Sequence, residues 1–146
     1  MSLPSADELE QLQEIEKQWA VKAMHHAETY FSLLEAIDGS KLKLTKIDDE
    51  IYVDFMSTFG PDFKIDVLDE NRDFKAPEMK EKWRNFIQRY EGGKVIEYNF
   101  GALLRIDASQ GYTESNTMFV TRMQFLTIEI ARNKAGLNSV HCKSKK

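Results

Sequence analysis

The sequence predicts an α+β protein, mainly α: three to four helices including a long N-terminal one, with a small β-hairpin or short sheet near residues 94–107. Three observations predict it. Apolar residues recur at steps of three or four through most of the chain, the period of a helix. One stretch, residues 95–107, is instead dense in strand formers. The 146 residues, 42% hydrophobic, are enough for one core and not for a comfortable second. Residues 1–138 are therefore expected to form a single globular domain, and residues 139–146 a basic, flexible tail.

The long helix comes first. Ser5 is a good N-cap, and Glu8 three residues later completes a capping box. Leu9, Leu12, Ile15, Trp19, Ala23, Ala27, Tyr30, Leu34 and Ile37 then follow at helical spacing. Gly39, after Asp38, suits the left-handed residue that closes a helix. About 30 residues is long for a globular helix, so one end should project or a kink should interrupt it. Thr45, with Asp48 three residues on, starts a second helix whose stripe is Ile47, Ile51, Phe55 and Phe59, stopped at Gly60-Pro61. Phe63, Ile65 and Val67 alternate as a weak strand, and residues 69–76 read as polar loop.

Pro77 fits the first turn of a third helix, with Met79, Trp83, Phe86, Ile87 and Tyr90 on its apolar face and Gly92-Gly93 after it. Val95, Ile96, Tyr98, Phe100, Leu103, Leu104 and Ile106 supply the β candidate, in which Asn99-Phe100-Gly101 could turn; a hairpin and one bent strand both remain open. Residues 108–117 form an ordered polar loop. Phe119, Met123, Leu126 and Ile130 return to helical spacing, with Arg132, Lys134 and Gly136 as stop signals; the strand-like alternation of Leu126, Ile128 and Ile130 is outweighed by length.

Charge is unevenly placed. Residues 1–115 carry 14 Lys and Arg against 23 Asp and Glu, a net of -9; residues 116–146 carry 6 against 1, a net of +5. The acidic body argues against a broad nucleic-acid surface and against direct DNA binding. Lys143, Lys145 and Lys146 could touch RNA or an acidic partner, but a solvated terminus explains them as well. The single cysteine, Cys142, excludes an intrachain disulfide and any multi-cysteine metal site within one chain. No run approaches the roughly 18 apolar residues of a membrane span. Residues 1–16 hold five acids and no base, the opposite of a secretory signal. These features lead to the expectation of a cytoplasmic protein, with the nucleus also open.

Catalytic chemistry is not evident. Gly92-Gly93-Lys94 lacks the first glycine and the hydroxyl residue of a phosphate loop. His25 and His26 point about 100° apart on a helix, whereas a shared metal needs a spacing of three or four. His141-Cys142 sits where no rigid base or oxyanion donor is expected. Asp48-Asp49-Glu50 is explained by capping a helix start, and Trp83 by core packing. No catalytic residue, cofactor or metal is expected. The unusual polar content lies around the 108–117 loop: Arg105, Asp107, Gln110, Tyr112, Glu114, Arg122 and Arg132. Arg105 and Glu129 could form a buried bridge. Alternatively, these residues make a recognition surface around Tyr112, since Tyr and Arg are common interface anchors.

Several of these runs carry a resemblance. Residues 99–114, Asn-Phe-Gly-Ala-Leu-Leu-Arg-Ile-Asp-Ala-Ser-Gln-Gly-Tyr-Thr-Glu, resemble the signature of the polysaccharide biosynthesis domain-containing proteins. Further matches are residues 19–28, residues 42–46 with Asp48-Asp49, residues 65–69, residues 80–84 and residues 124–133. The resemblance covers roughly residues 19–138 and is to the short fungal members, without the charged C-terminal extension of animal ones. It implies a mainly helical fold with a small β element. It also implies a dedicated, non-enzymatic chaperone that helps newly made translation elongation factor 1-alpha to fold. Such a chaperone acts on the factor's GTP-binding domain, and release is linked to the client's own GTP. The alternatives are an enzyme or accessory factor of polysaccharide synthesis, or a ribosome or RNA adaptor using the basic tail.

Overall fold

The computed structural model describes residues 6–95, 97–98 and 100–143, with side chains from residue 17 onward. Helix α1 spans Ala6–Ala36, α2 Asp48–Phe59 and α3 Pro77–Gln88. Strands β1, Gly101–Arg105, and β2, Thr117–Thr121, follow, and then α4, Arg122–Lys134. The architecture is α+β and mainly α, with one two-stranded antiparallel sheet.

α4 is the centre. Met123 and every residue from 125 to 133 are buried, so the stripe of Met123, Leu126 and Ile130 understates a helix covered on all sides. α2, α3 and the sheet pack on it, and α1 reaches it through His26 and Tyr30, whose rings meet Phe125. It starts where Thr121 Oγ1 accepts the Gln124 N–H while Gln124 Oε1 accepts the Thr121 N–H, a reciprocal cap. That cap ends the strand, so helical spacing counted from Phe119 overshoots. Phe119 belongs to β2, paired with Leu103.

Between α2 and α3 the core is aromatic. The Trp83 ring stacks on Phe74 at 5.3 Å and 9°, and meets Phe59 at 4.4 Å. Its Nε1 donates to the Asp73 carbonyl at 2.9 Å. This places Trp83 in the core, as its helix face predicts. The expected loop at residues 69–76 is instead a wide helical turn, Asn71–Lys75, because Phe74 must reach that cluster. Phe63 to Val67 contribute one isolated bridge, Val67 with Asp107, rather than a strand.

At α2, Asp48 takes the N–H groups of Leu44 (2.8 Å) and Thr45 (2.7 Å) and the Thr45 hydroxyl. These bonds organise the turn that leads into α2; the helix begins at Asp48 rather than Thr45, with Ile47 at its N-cap position and no side chain capping it. α1 runs for 31 residues, about 46 Å at 1.5 Å per residue. Its side chains at residues 17–22 are exposed, and burial begins at Ala23. Ser5 lies outside the described residues, as do Ile96 and Asn99. Gly39 is not left-handed: it opens a short turn, Gly39–Lys41. Its lack of a side chain matters because a Cβ there would sit 2.6 Å from Asn133 Oδ1.

Past α4 the chain turns back onto the core. Ser139–His141 form a helical turn, and Cys142 is buried. The reason is Asn138, which is fully buried and tied to the core just before that turn. Residues 144–146 lie outside the described residues.

Candidate functional site

Arg105, Glu129 and Arg132 are fully buried and joined. Arg105 comes from β1, and the other two from adjacent turns of α4. Arg105 Nη2 donates to Glu129 Oε1 at 2.8 Å and to Asn138 Oδ1 at 2.7 Å. Its Nη1 donates to the Ala108 and Gln110 carbonyls at 2.9 and 3.3 Å and lies 3.0 Å from His141 Nε2. Arg132 donates to the Ile65 and Ile106 carbonyls at 2.7 and 3.1 Å. The bridge expected between Arg105 and Glu129 is therefore present, and it also holds the 108–110 backbone and the C-terminal turn.

Two cations share one carboxylate, so Glu129 carries the balance of the site. Burial works against the Arg105 charge, but Glu129 outweighs it and the net effect favours protonation. At Arg132 burial wins and the pKa is lowered. Phe31 and Tyr112 flank Arg105, with ring centroids 5.7 and 5.8 Å from its guanidinium carbon. The Tyr112 hydroxyl donates to the Leu103 carbonyl at 3.0 Å. Burial first, then Glu129, pushes its pKa up, so it is a neutral donor at physiological pH.

The loop is further stapled by Asn116. Its Oδ1 accepts the Asp107 N–H at 2.8 Å, and its Nδ2 donates to the Asp107 and Gly111 carbonyls. Asp107 itself turns its carboxylate to the Ser109 N–H and hydroxyl. The seven residues singled out in the sequence thus divide. Arg105 and Arg132 are buried structural groups, Asp107 organises a turn, and the exposed Gln110 supplies only a carbonyl. Tyr112 and Glu114 reach a surface groove. Arg122 lies apart, in a cleft with Trp19, Lys22, His26 and Phe100.

That groove, of about 590 Å³, is lined by Met24, Ala27 and Glu28 of α1, by Leu103, Thr117, Met118 and Phe119 of the sheet, and by Tyr112, Thr113 and Glu114. It is mainly apolar. Met24 and Phe119 are each 54% exposed. Trp19, 44% exposed, extends the apolar surface, its ring 6.1 Å from Phe100 and 6.5 Å from Phe119. Trp19 thus departs from the buried stripe on which spacing places it. Met24 and Glu28 were not singled out by the sequence reading, and Phe119 was placed on a helical stripe instead. The Thr-Met-Phe-Val-Thr alternation of β2 and the off-stripe position of Met24 are the signals that could have found them.

Among the described residues, no three His, Cys, Asp or Glu side chains gather as a metal site. No helix among them is long and apolar enough to cross a membrane.

Comparison with known proteins fits this architecture. A family model described as PBDC1 protein matches residues 15–143. The chain is 50% identical over 141 residues to the PBDC1 homolog of Saccharomyces cerevisiae, covering 94% of this chain and 95% of that protein. It is 51% identical over 125 residues to protein PBDC1 of Mus musculus, covering 86% of this chain but 62% of the mouse protein. Against human PBDC1, at 50% identity, it spans 52% of that protein's length. A solution NMR structure of protein yst0336 from Saccharomyces cerevisiae aligns with a TM-score of 0.82 at 47% identity, with 100% of both chains covered. The chain belongs to the PBDC1 family, the polysaccharide biosynthesis domain-containing proteins, and it spans nearly the whole of the yeast member.

Proposed function

We propose that this chain is a non-enzymatic chaperone for newly synthesised translation elongation factor 1-alpha, acting in the cytoplasm on the factor's GTP-binding domain. The observation that carries the proposal is the open apolar groove between α1 and the sheet, set on a frame whose charged groups are buried. An exposed apolar face rimmed by polar groups is suited to covering apolar surface on an unfinished client. The polar residues that would be candidates for catalysis instead bond one another and the backbone. The resemblance supplies the client.

Release needs a difference in affinity between client states. The folding intermediate must bind more tightly than the finished, GTP-loaded factor. Folding that buries the client's apolar segment provides that difference, and the client's GTP stabilises the state that does not bind. Capture of the chain from actively translating lysate tests this, with the bound nascent chains identified and compared with purified GTP-loaded factor. Selective recovery of nascent elongation factor 1-alpha is expected; equal affinity for the native factor would overturn the proposal.

A further inference from the structure

The rim of the groove carries information about what enters it. The apolar surface is made by Met24, Leu103 and Phe119. The charged side chains lining it are Glu28, from α1, and Glu114, from the turn before β2; both are acidic and exposed. Neither has an ion-pair partner among the described residues. The adjoining cleft beside Trp19 has the opposite balance, since Lys22 and Arg122 line it with only Glu97 as an acid. The acidic rim is therefore local to this groove. Two unpaired carboxylates beside an apolar floor attract cations and repel acids.

Resting on the reading of the chain as a binder of unfinished polypeptide, we infer that the groove accepts an apolar segment of the partner protein flanked by Lys or Arg. The apolar side chains cover Met24, Leu103 and Phe119, while the flanking cations meet Glu28 and Glu114. The apolar contact supplies the affinity, and the rim selects among apolar segments.

The test uses the full chain and three synthetic peptides. The first is Lys-Lys-Leu-Ile-Phe-Leu-Lys-Lys, the second replaces every Lys by Glu, and the third replaces every apolar residue by Ser. Binding is read by fluorescence anisotropy at low salt. The first peptide should bind about tenfold more tightly than the second, and the gap should shrink as salt is added. Because the whole chain is acidic, with a net charge of -4, that preference alone does not locate the site. Joint Glu28→Lys and Glu114→Lys reversal should invert it, whereas Asp62→Lys with Glu91→Lys, outside the groove, should leave its direction unchanged. Met24→Ser with Phe119→Ser should weaken both apolar peptides. All these positions are exposed, so folding is checked by circular dichroism and should be retained. Absence of peptide binding, equal binding of the Lys and Glu peptides, or a preference that survives the reversal overturns the inference. Client capture separates it from the functional reading. If the peptides behave as expected but nascent elongation factor is not captured, only the client assignment fails. If capture persists undiminished in the Met24→Ser, Phe119→Ser chain, the groove inference fails and the client assignment stands.

Discussion

Two neighbouring regions treat their side chains in opposite ways. In the hub around Glu129, two arginines and a glutamate are fully buried. In the groove beside it, Met24 and Phe119 are more than half exposed. Tyr112 belongs to both: its ring flanks Arg105, and its edge lines the groove. The contrast separates two tasks. Buried charges are costly unless paired, and both Arg105 terminal nitrogens are bonded although its buried Nε has no partner, so the hub holds the 108–110 backbone in one arrangement. Exposed apolar groups contribute little to the free chain's stability and remain available for binding. Substitutions in the hub should therefore be read in stability, and those in the groove in binding.

The largest effect should come from Glu129→Ala. It leaves Arg105 and Arg132 buried without their carboxylate, and urea unfolding at pH 7 should show a loss of about 3–5 kcal/mol. A loss below about 1 kcal/mol would mean that the hub does not hold the loop. Asn138→Ala removes one acceptor of Arg105 and the partner of Asn133, and should cost about 1–3 kcal/mol. Faster amide exchange in Ser139–His141 should accompany it, because that turn hangs from Asn138.

Phe119→Ser sharpens the comparison from the other side. Stability should stay within about 0.5 kcal/mol, as is usual for an exposed position, while nascent-client capture falls. A large loss of stability would return Phe119 to the core and remove the contrast.

The smallest effect concerns pH. Burial, and secondarily Arg122, lower the His26 pKa from 6.5. The folded state therefore favours neutral His26, and this contribution is fully present at higher pH. It fades as pH falls below 6.5 and is gone below the folded pKa. His26→Gln should flatten the urea midpoint between pH 7 and pH 5 by a small amount.

Local signals placed the helices. Pro77 opens α3 at its first residue, Gly60 closes α2, and the Thr121–Gln124 pair, although unnoticed in the spacing, opens α4. The same local reading lost β2. A five-residue strand next to a helix shares its apolar residues with the helical count, and only pairing with Leu103 assigns Phe119 to the sheet. It also misread Gly39, whose role is close approach to Asn133, a contact 94 residues away in sequence that no turn pattern encodes. At the site, the Arg105–Glu129 bridge was legible as a possibility because both charges lie in apolar runs. The groove was not, because Met24, Leu103 and Phe119 come from three elements whose juxtaposition is a matter of packing.

The amino-acid sequence by itself determined the α+β class, the existence and approximate place of the four long helices and the concentration of polar groups around residues 105–117. These depend on periodicity, capping and composition, which act over a few residues. Tertiary structure alone decided that Arg105 turns inward to Glu129 while Trp19 of α1 and Phe119 of β2 turn outward. A strand presents both faces equally, and only packing against α4 determines that Met118 and Val120 are buried while Phe119 is left exposed.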